Sequence, residues 1–173
     1  MNALLDYGIP GYFPTPPAIV RRMIELADIR PGMTVLEPSA GTGVIADAIR
    51  QAGYGIQCIE INMTLADVLS QKGYRVFCAD FLTWFGGCYA RIIQNPPFEH
   101  GQDIDHIKHA YDYCLTPGGM LVSVTSEGLF FRSDRKSIAF REWLEAVGGT
   151  SEKLPDGSFL PSGTGVATRL VII

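Results

Sequence analysis

The sequence predicts an α/β fold with a mostly parallel, seven-stranded sheet, helices on both faces and an antiparallel C-terminal strand. Two observations lead to this prediction. Short runs rich in β-branched residues alternate with segments in which apolar residues recur every three or four positions. The first of these runs meets its helix at a glycine-rich turn, residues 37–43. The length of 173 residues suits one domain, 1–173.

The elements follow from this alternation. A first helix is expected over residues 16–28, with Thr15 as N-cap and prolines in its first turn. The last two strands are expected to pair antiparallel at the sheet edge. The remaining predicted elements are strand 33–36, helix 44–52, strand 56–59, helix 65–69, strand 74–78, strand 90–94, helix 104–114, strand 120–124, loop 126–137, helix 138–147, strand 152–154 and strand 166–173.

Composition narrows the class of protein. Hydrophobic residues make up 47% and charged residues 18% of the chain, which is typical of a globular protein. The net charge of -4 argues mildly against a broad nucleic-acid-binding face. No apolar run reaches the roughly 18 residues that would span a membrane, and the N-terminus lacks the pattern of a signal peptide. A cytoplasmic protein without a membrane partner is therefore expected.

The cysteines and histidines do not predict a metal site. Cys58, Cys78, Cys88 and Cys114 form no C-x-x-C pair, and we interpret them as small core residues in a reducing compartment. His106 and His109 are spaced i, i+3, but the same helix offers no further histidine or cysteine at ligand spacing.

Acidic residues follow two successive strands beyond the glycine-rich turn. Such a turn lets the backbone approach a ligand, but G-x-G lacks the third glycine of the dinucleotide fingerprint. Glu60 stands where nucleotide-binding folds place an acid that accepts from ribose hydroxyls, and Asp80 could accept from an adenine amine. Solvated acids at strand ends remain the alternative.

The fourth strand ends at Asn95-Pro96-Pro97-Phe98. Two prolines stiffen the backbone and cannot donate hydrogen bonds, which leaves the carbonyls of Asn95 and Pro96 as acceptors. Together with the Asn95 side-chain oxygen they could hold a planar amine while Phe98 stacks on its ring. A strand followed by a rigid turn is the alternative.

The loop predicted over residues 126–137 carries a basic and aromatic cluster. This mixture suits binding to phosphates and unstacked bases, although a solvated loop would have the same composition. Its candidate substrate-binding residues are Phe130, Phe131, Arg132, Arg135 and Lys136.

Together these motifs resemble the class I S-adenosylmethionine-dependent methyltransferases, specifically those that methylate the N6 amine of adenine in DNA. The run 37–43 resembles their cofactor motif, and residues 95–98 resemble their catalytic [DNS]-P-P-[YFW] motif. Residues 13–16 are similar to the segment that covers the methionine end of the cofactor. Residues 140–144, 154–159 and 162–168 resemble the end of the catalytic domain in modification subunits of type I restriction systems. The resemblance implies a Rossmann-like class I methyltransferase fold.

The resemblance also implies roles for individual residues. Asn95 and Pro96 would accept the two hydrogens of the amine, Pro97 would complete the catalytic turn, and Phe98 would stack on an adenine base flipped out of DNA. The reaction requires no metal. Activity is not expected to change steeply with pH through the titration of a histidine. The residues expected to bind S-adenosylmethionine are Phe13, Thr15, Glu37, Ser39, Ala40, Gly41, Gly43, Glu60, Ile61, Asp80, Phe81 and Asn95.

Several alternatives remain open. No separate target-recognition domain is expected in 1–173, so sequence specificity would come from short loops, from a specificity subunit or from a homo-oligomer. The same turn would suit adenine in RNA or the side-chain amide of a protein glutamine. The chain could also be a cofactor-binding subunit that is inactive without its partner. A NAD-dependent dehydrogenase is disfavoured by the missing third glycine.

Overall fold

The computed structural model describes residues 12–173. It confirms the predicted mixed sheet, whose seven strands lie in the order β3-β2-β1-β4-β5-β7-β6. The helices are α1 (Pro17–Ala27), α2 (Val44–Gln51), α3 (Met63–Gln71), α4 (Gln102–His109) and α5 (Arg135–Ala146). The strands are β1 (Val35–Pro38), β2 (Gln57–Glu60), β3 (Arg75–Cys78), β4 (Tyr89–Gln94), β5 (Leu115–Ser126), β6 (Thr150–Lys153) and β7 (Thr168–Ile172).

Strands β1 to β5 pair in parallel, whereas β7 lies antiparallel between β5 and β6. The chain moves from β1 outward to β2 and β3, then returns to place β4 on the other side of β1. In open α/β sheets the carboxyl ends of the strands form a crevice where the strand order reverses. The topology therefore places a binding crevice beside the ends of β1 and β4.

Consecutive strand residues point to opposite faces and so enter two different cores. Val35 and Ile93 pack against the face covered by α1 and α2. Their neighbours Leu36 and Ile92 pack against the face covered by α4 and α5. Burial on both faces explains why β1 and β4 each contain two adjacent apolar residues at these positions.

The first helix differs from the prediction at its start. Its N-cap is Pro16, with no side-chain cap hydrogen bond, so the expectation that Thr15 caps this helix is wrong. The Thr15 hydroxyl oxygen instead accepts a hydrogen bond from the Asn95 side chain, 80 residues away in the sequence. A tertiary contact has replaced the local one.

The segment after β5 is also more ordered than predicted. Glu127–Phe130 forms a 3₁₀ turn, and α5 begins at Arg135, so Arg135 and Lys136 lie in a helix and not in a loop. Asp134 caps this helix by accepting from the backbone N–H of Ser137 at 3.0 Å.

Three smaller predictions need correction. Residues 115–119, which lie between the predicted helix 104–114 and the predicted strand 120–124, belong to β5, and the register of β5 against β4 shifts there. Strand β6 begins two residues earlier than predicted. Cys58 and Cys114 are buried as expected of core residues, but Cys78 and Cys88 are exposed. Within residues 12–173, no helix has the length and apolar character needed to cross a membrane.

Candidate functional site

A cavity of about 600 Å³ opens at the carboxyl ends of β1, β2 and β4. The structure brings nearly all of the predicted cofactor and catalytic residues to this one place. These lining residues are Phe13, Thr15, Glu37, Ser39, Ala40, Gly41, Glu60, Ile61, Asp80, Phe81, Asn95, Pro96, Pro97 and Phe98. Other lining residues, to which the sequence analysis gave no role at this site, include Tyr12, Asn62, Leu82, Gln102, His106, Phe159, Thr164 and Val166.

The glycine-rich turn between β1 and α2 has an unusual backbone. Ser39, Gly41 and Gly43 all adopt left-handed conformations, with φ of 56°, 56° and 83°. A Cβ on Gly41 would lie 2.4 Å from the Tyr12 ring, so this glycine is needed for close packing at the cavity. Gly43 lies outside the cavity lining and instead allows α2 to approach Leu69.

Glu60 joins this turn to the end of β2. One carboxylate oxygen accepts from the backbone N–H of Gly41 at 2.7 Å, and the other accepts from that of Asn62 at 2.8 Å. Each carboxylate oxygen has two lone pairs, so both can accept a further hydrogen bond. The predicted acid therefore shapes the cavity and keeps acceptor capacity for a ligand.

Glu37 lines the cavity with a carboxyl group of which one oxygen lacks a hydrogen-bond partner in the described part of the chain. Its side chain is 2% exposed, and its Oε2 has no hydrogen-bond partner among residues 12–173. Burial raises the pKa of this carboxyl well above its usual range, the nearby Asp47 and Glu60 raise it further, and a backbone hydrogen bond from Ala46 only partly offsets this. A buried carboxyl in this state is expected to bind a donor or cationic group of a ligand.

Asp80 and Phe81 line the cavity near the end of β3. Asp80 accepts from the backbone N–H of Leu82 at 2.9 Å, while the buried Phe81 ring packs against His106. Burial lowers the pKa of His106 to about 4, so its imidazole is neutral at neutral pH. The Ser39 hydroxyl lies 3.3 Å from Nδ1 of this histidine.

Asn95 has a defined orientation. Its Nδ2 donates to the carbonyl oxygen of Phe13 at 3.1 Å and to Oγ1 of Thr15 at 3.0 Å. In the part of the chain that the structure describes, no hydrogen bond is donated to the side-chain oxygen of Asn95 or to the carbonyl oxygens of Asn95 and Pro96. Three acceptor oxygens are thus available at the turn, and Phe98 lines the same cavity.

Two segments distant in sequence complete the cavity wall. The Tyr12 hydroxyl lies 2.6 Å from Oγ1 of Thr42 in the glycine-rich turn. Ser162, in the segment between β6 and β7, donates its hydroxyl to the carbonyl of Pro14 at 2.5 Å. Phe159, Thr164 and Val166 of that segment line the cavity, a role that no local pattern of residues indicates.

The predicted basic and aromatic cluster does not line this cavity. Phe130 packs against Phe140 and beneath the Arg169 guanidinium, whereas Phe131 is 72% exposed. Arg132 and Lys136 border a separate depression of about 160 Å³. Lys136 is also paired with Asp105 at 2.7 Å. Arg135 occupies the first turn of α5. Their predicted substrate-binding role remains a prediction.

Known proteins are similar to this chain in fold and in part of the sequence. No family model matches the chain. A type II methyltransferase from Thermus thermophilus is 37% identical over 92 residues, 51% of this chain and 21% of the relative. A type II methyltransferase from Haemophilus influenzae is 33% identical over 100 residues, 57% of this chain and 19% of the relative. The chain therefore spans about a fifth of the length of these relatives.

Other matches extend to RNA-modifying enzymes and to the whole fold. A probable ribosomal RNA small subunit methyltransferase A from Methanospirillum hungatei is 32% identical over 88 residues, 51% of this chain and 34% of the relative. The methyltransferase subunit of a type I restriction-modification system from Streptococcus thermophilus superposes with a TM-score of 0.77 at 19% identity. This superposition covers 93% of this chain and 44% of that one.

The fold and cavity together define a class I methyltransferase fold, confirming the predicted fold class. More particularly, about half of the chain is similar in sequence to type II methyltransferases, and its fold is similar to that of a type I restriction-modification methyltransferase subunit.

These likenesses imply S-adenosylmethionine as the cofactor, and the cavity fits it on two observations. Glu37 offers an orphaned buried carboxyl oxygen to a cationic amino-acid end. At Gly41, a Cβ would close the space against Tyr12. Within residues 12–173, no cluster of three or more histidine, cysteine or acidic side chains could hold a metal ion.

Proposed function

We propose that this protein transfers a methyl group from S-adenosylmethionine to the exocyclic N6 amine of adenine in DNA. The single observation that carries the proposal is the geometry of the Asn95 turn. The Asn95 amide is held through its nitrogen, and among residues 12–173 neither its oxygen nor the carbonyl oxygen of Pro96 accepts a hydrogen bond. An amine with two hydrogens on a planar ring is complementary to two such acceptors.

The turn addresses the main chemical difficulty of this acceptor. The lone pair of an adenine amine is delocalised into the ring, which makes the nitrogen a poor nucleophile. In the proposed mechanism, the Asn95 side-chain oxygen and the Pro96 carbonyl accept its two hydrogens and favour a tetrahedral nitrogen. Phe98 stacks on the extruded base and fixes its plane. The bound cofactor would supply an electrophilic methyl group, whose bond to the sulfonium breaks to leave a neutral thioether, and the methylated amine would release one of its two protons.

The remaining cavity residues are proposed to hold the cofactor. Glu37 and the turn at Gly41 would receive its amino-acid end, with Phe13 and Thr15 on the same side. Glu60 would accept from the ribose hydroxyls through its spare lone pairs. The other proposed contacts to the cofactor are Ser39, Ala40, Ile61, Asp80, Phe81 and Asn95, all of which line the cavity.

Adenine in RNA is a second candidate acceptor. It is favoured by the 32% identity to a probable ribosomal RNA methyltransferase, because the same turn would hold the same amine. DNA is preferred because the relatives of higher identity are type II methyltransferases. We also propose that a specificity subunit or a second copy of the chain assists target recognition. A type I methyltransferase subunit shares the fold.

The first experiment identifies the acceptor. The purified protein is incubated with isotopically labelled S-adenosylmethionine and, separately, with duplex DNA, single-stranded DNA, RNA and a protein extract. Digestion and mass spectrometry then locate the label. We expect N6-methyladenine in DNA with the wild type and none with Asn95→Ala. Calorimetry should show that this variant still binds the cofactor.

Each alternative outcome has a defined meaning. Label in RNA alone would replace the DNA proposal with the second candidate. Equal activity of the wild type and Asn95→Ala would overturn the role of the turn. Cofactor binding without transfer to any acceptor would contradict an autonomous enzyme, and activity restored by a cellular fraction would point to a missing subunit.

A further inference from the structure

The side-chain amide of Asn95 is held by a segment that precedes the first helix and is distant from Asn95 in the sequence. Both acceptors of its Nδ2 come from residues 13–15, just before α1. Thr15 is 5% exposed, so its hydroxyl is shielded from competing water. Because the nitrogen and oxygen of a carboxamide point in different directions, holding the nitrogen also fixes where the oxygen points.

The two orientations of this amide are not equivalent. In the observed one, Nδ2 meets the Phe13 carbonyl and the Thr15 hydroxyl oxygen. After a half-turn, the Asn95 oxygen would face the Phe13 carbonyl, which has no proton to donate, and the nitrogen would take the position of the oxygen. An NH₂ group in that position would present donors to a substrate amine that is itself a donor.

We propose that Thr15 is a positioning residue that, together with the Phe13 carbonyl, holds the Asn95 amide so that its oxygen is the atom presented to the acceptor amine. This inference rests on the proposed function for its catalytic consequence. The orientation of the amide itself does not depend on that function and is measurable separately.

The segment that supplies these acceptors is itself held in place. On one side, the Tyr12 hydroxyl lies 2.6 Å from Oγ1 of Thr42. On the other side, Ser162 donates to the Pro14 carbonyl. Proline at position 14 restricts the backbone between the two acceptors, so their spacing is set before substrate arrives. Preorganised acceptors cost little reorganisation at the moment of reaction.

The direct test observes the Asn95 side chain. In ¹⁵N-labelled protein, the side-chain NH₂ signals of Asn95 are assigned by their disappearance in Asn95→Asp, which has no NH₂ group. These signals are then compared in the wild type, Thr15→Ser and Thr15→Val. Serine keeps the hydroxyl acceptor, whereas valine keeps the shape of threonine and removes it.

We expect the Asn95 signals to be similar in the wild type and Thr15→Ser, and to shift and broaden in Thr15→Val. Backbone amide signals of the remaining core should stay unchanged, which identifies a folded variant. Unchanged Asn95 signals in folded Thr15→Val would overturn the proposal. If Thr15→Val does not fold, Thr15→Ala is measured in the same way, with the same two outcomes.

A kinetic comparison separates positioning from cofactor binding. With saturating cofactor, kcat of Thr15→Val should fall about ten- to a hundredfold, as for a small misplacement of a reacting group. Thr15→Ser should recover most of that loss, and the cofactor Kd should change far less than kcat. A raised Kd with unchanged kcat would overturn the positioning role. If the wild type methylates no acceptor, the proposed function fails, and the Asn95 signals alone decide this inference.

Discussion

Glu37 shows how a single residue can be unfavourable for folding and useful for binding. Its carboxyl is buried, and one of its oxygens has no partner among the described residues. Burying such a group without a hydrogen bond costs free energy, so natural proteins seldom keep one without a reason. A ligand that donates to this oxygen would recover part of that cost. We therefore expect opposite effects of Glu37 on stability and on cofactor affinity.

Replacing Glu37 by glutamine tests this expectation. Burial raises the pKa of Glu37 in the folded state, so the folded protein binds this proton more tightly than the unfolded chain. Its contribution to stability is present below the unfolded pKa of 4.5 and is lost as the pH rises toward the folded pKa. Glu37→Gln should have a higher Tm than the wild type at neutral pH, with a difference that shrinks on acidification, and should bind S-adenosylmethionine more weakly.

The matched control for this experiment is Glu145→Gln, at an exposed position on α5. It should change neither Tm nor cofactor affinity appreciably. Thermal unfolding at several pH values and calorimetric binding supply the two measurements. A lower Tm for Glu37→Gln at neutral pH would show that the carboxylate has a partner that this structure lacks.

His106 gives a second pH prediction with the opposite sign. Burial lowers its pKa from 6.5 to about 4 in the folded state, so the unfolded chain binds this proton more tightly. Stability is therefore lost as the pH falls from 6.5 toward 4. We expect the Tm of His106→Gln to depend less on pH in this window than that of the wild type. The activity of the wild type should not change steeply with pH near neutrality. A steep change that is lost in His106→Gln would contradict the proposed mechanism.

At the scale of elements, the glycine-rich turn connects β1 to α2 and carries the cofactor side of the cavity. Its left-handed positions at Ser39, Gly41 and Gly43 alternate with ordinary ones, which makes the chain turn sharply enough to expose backbone at the sheet edge. Only one of these two glycines lines the cavity. The effect of backbone strain can be separated from the effect of a crowded side chain, because another glycine of the chain has a positive φ without close neighbours.

Gly41→Ala and Gly32→Ala form this matched pair. Both glycines have positive φ, but a Cβ on Gly32 meets nothing within 4 Å, whereas one on Gly41 meets the Tyr12 ring at 2.4 Å. Gly32→Ala should lose about 1 kcal/mol of stability from backbone strain and keep its cofactor affinity. Gly41→Ala should lose more stability and also bind cofactor more weakly. Denaturant unfolding and calorimetry provide the measurements, and equal cofactor affinity in both variants would contradict the placement of Tyr12.

The elements that the sequence predicted well are those with strong local signals. The apolar runs of β1, β2 and β4 identify buried strands, and each is followed by the polar residue that lines the cavity. The start of α5 was missed because its N-cap, Asp134, stands among charged residues that resemble a solvated loop. The role of Ser162 could not be predicted, because its partner lies 148 residues away and no short-range pattern indicates it.

The whole molecule builds its cavity from segments far apart in sequence. The segment at residues 12–15 and the segment between β6 and β7 meet at the Ser162 hydrogen bond. A second tie joins α1 to β6, where Arg22 donates to Glu152 at 2.6 Å. Phe13 and Thr15 depend on the first tie for their position beside Asn95. We therefore expect a substitution remote from the catalytic turn to affect the reaction.

Ser162→Ala tests this long-range support, with Ser158→Ala as control. The Ser158 hydroxyl donates only to the nearby Pro155 carbonyl, so its loss should have a local effect. Ser162→Ala leaves the Pro14 carbonyl without its donor and should reduce kcat several-fold while the protein stays folded, as with other small misplacements of reacting groups. Methylation assays and circular dichroism measure the two effects. Equal kcat in both variants would show that the two segments do not act together.

The strand order also determines what a nascent chain can do during synthesis. Strand β7 is made after all the others, yet it separates β5 from β6 and is the strand to which β6 pairs. Until it emerges from the ribosome, β5 has an open edge with unpaired backbone groups, and such edges can recruit strands of other chains. The part of the cavity wall formed by Phe159, Thr164 and Val166 is also synthesised after β1 to β6. Synthesis of the segment through β7 therefore both pairs the open edge of β5 and completes the cavity wall, so a chain that stops short of β7 has no closed site to occupy.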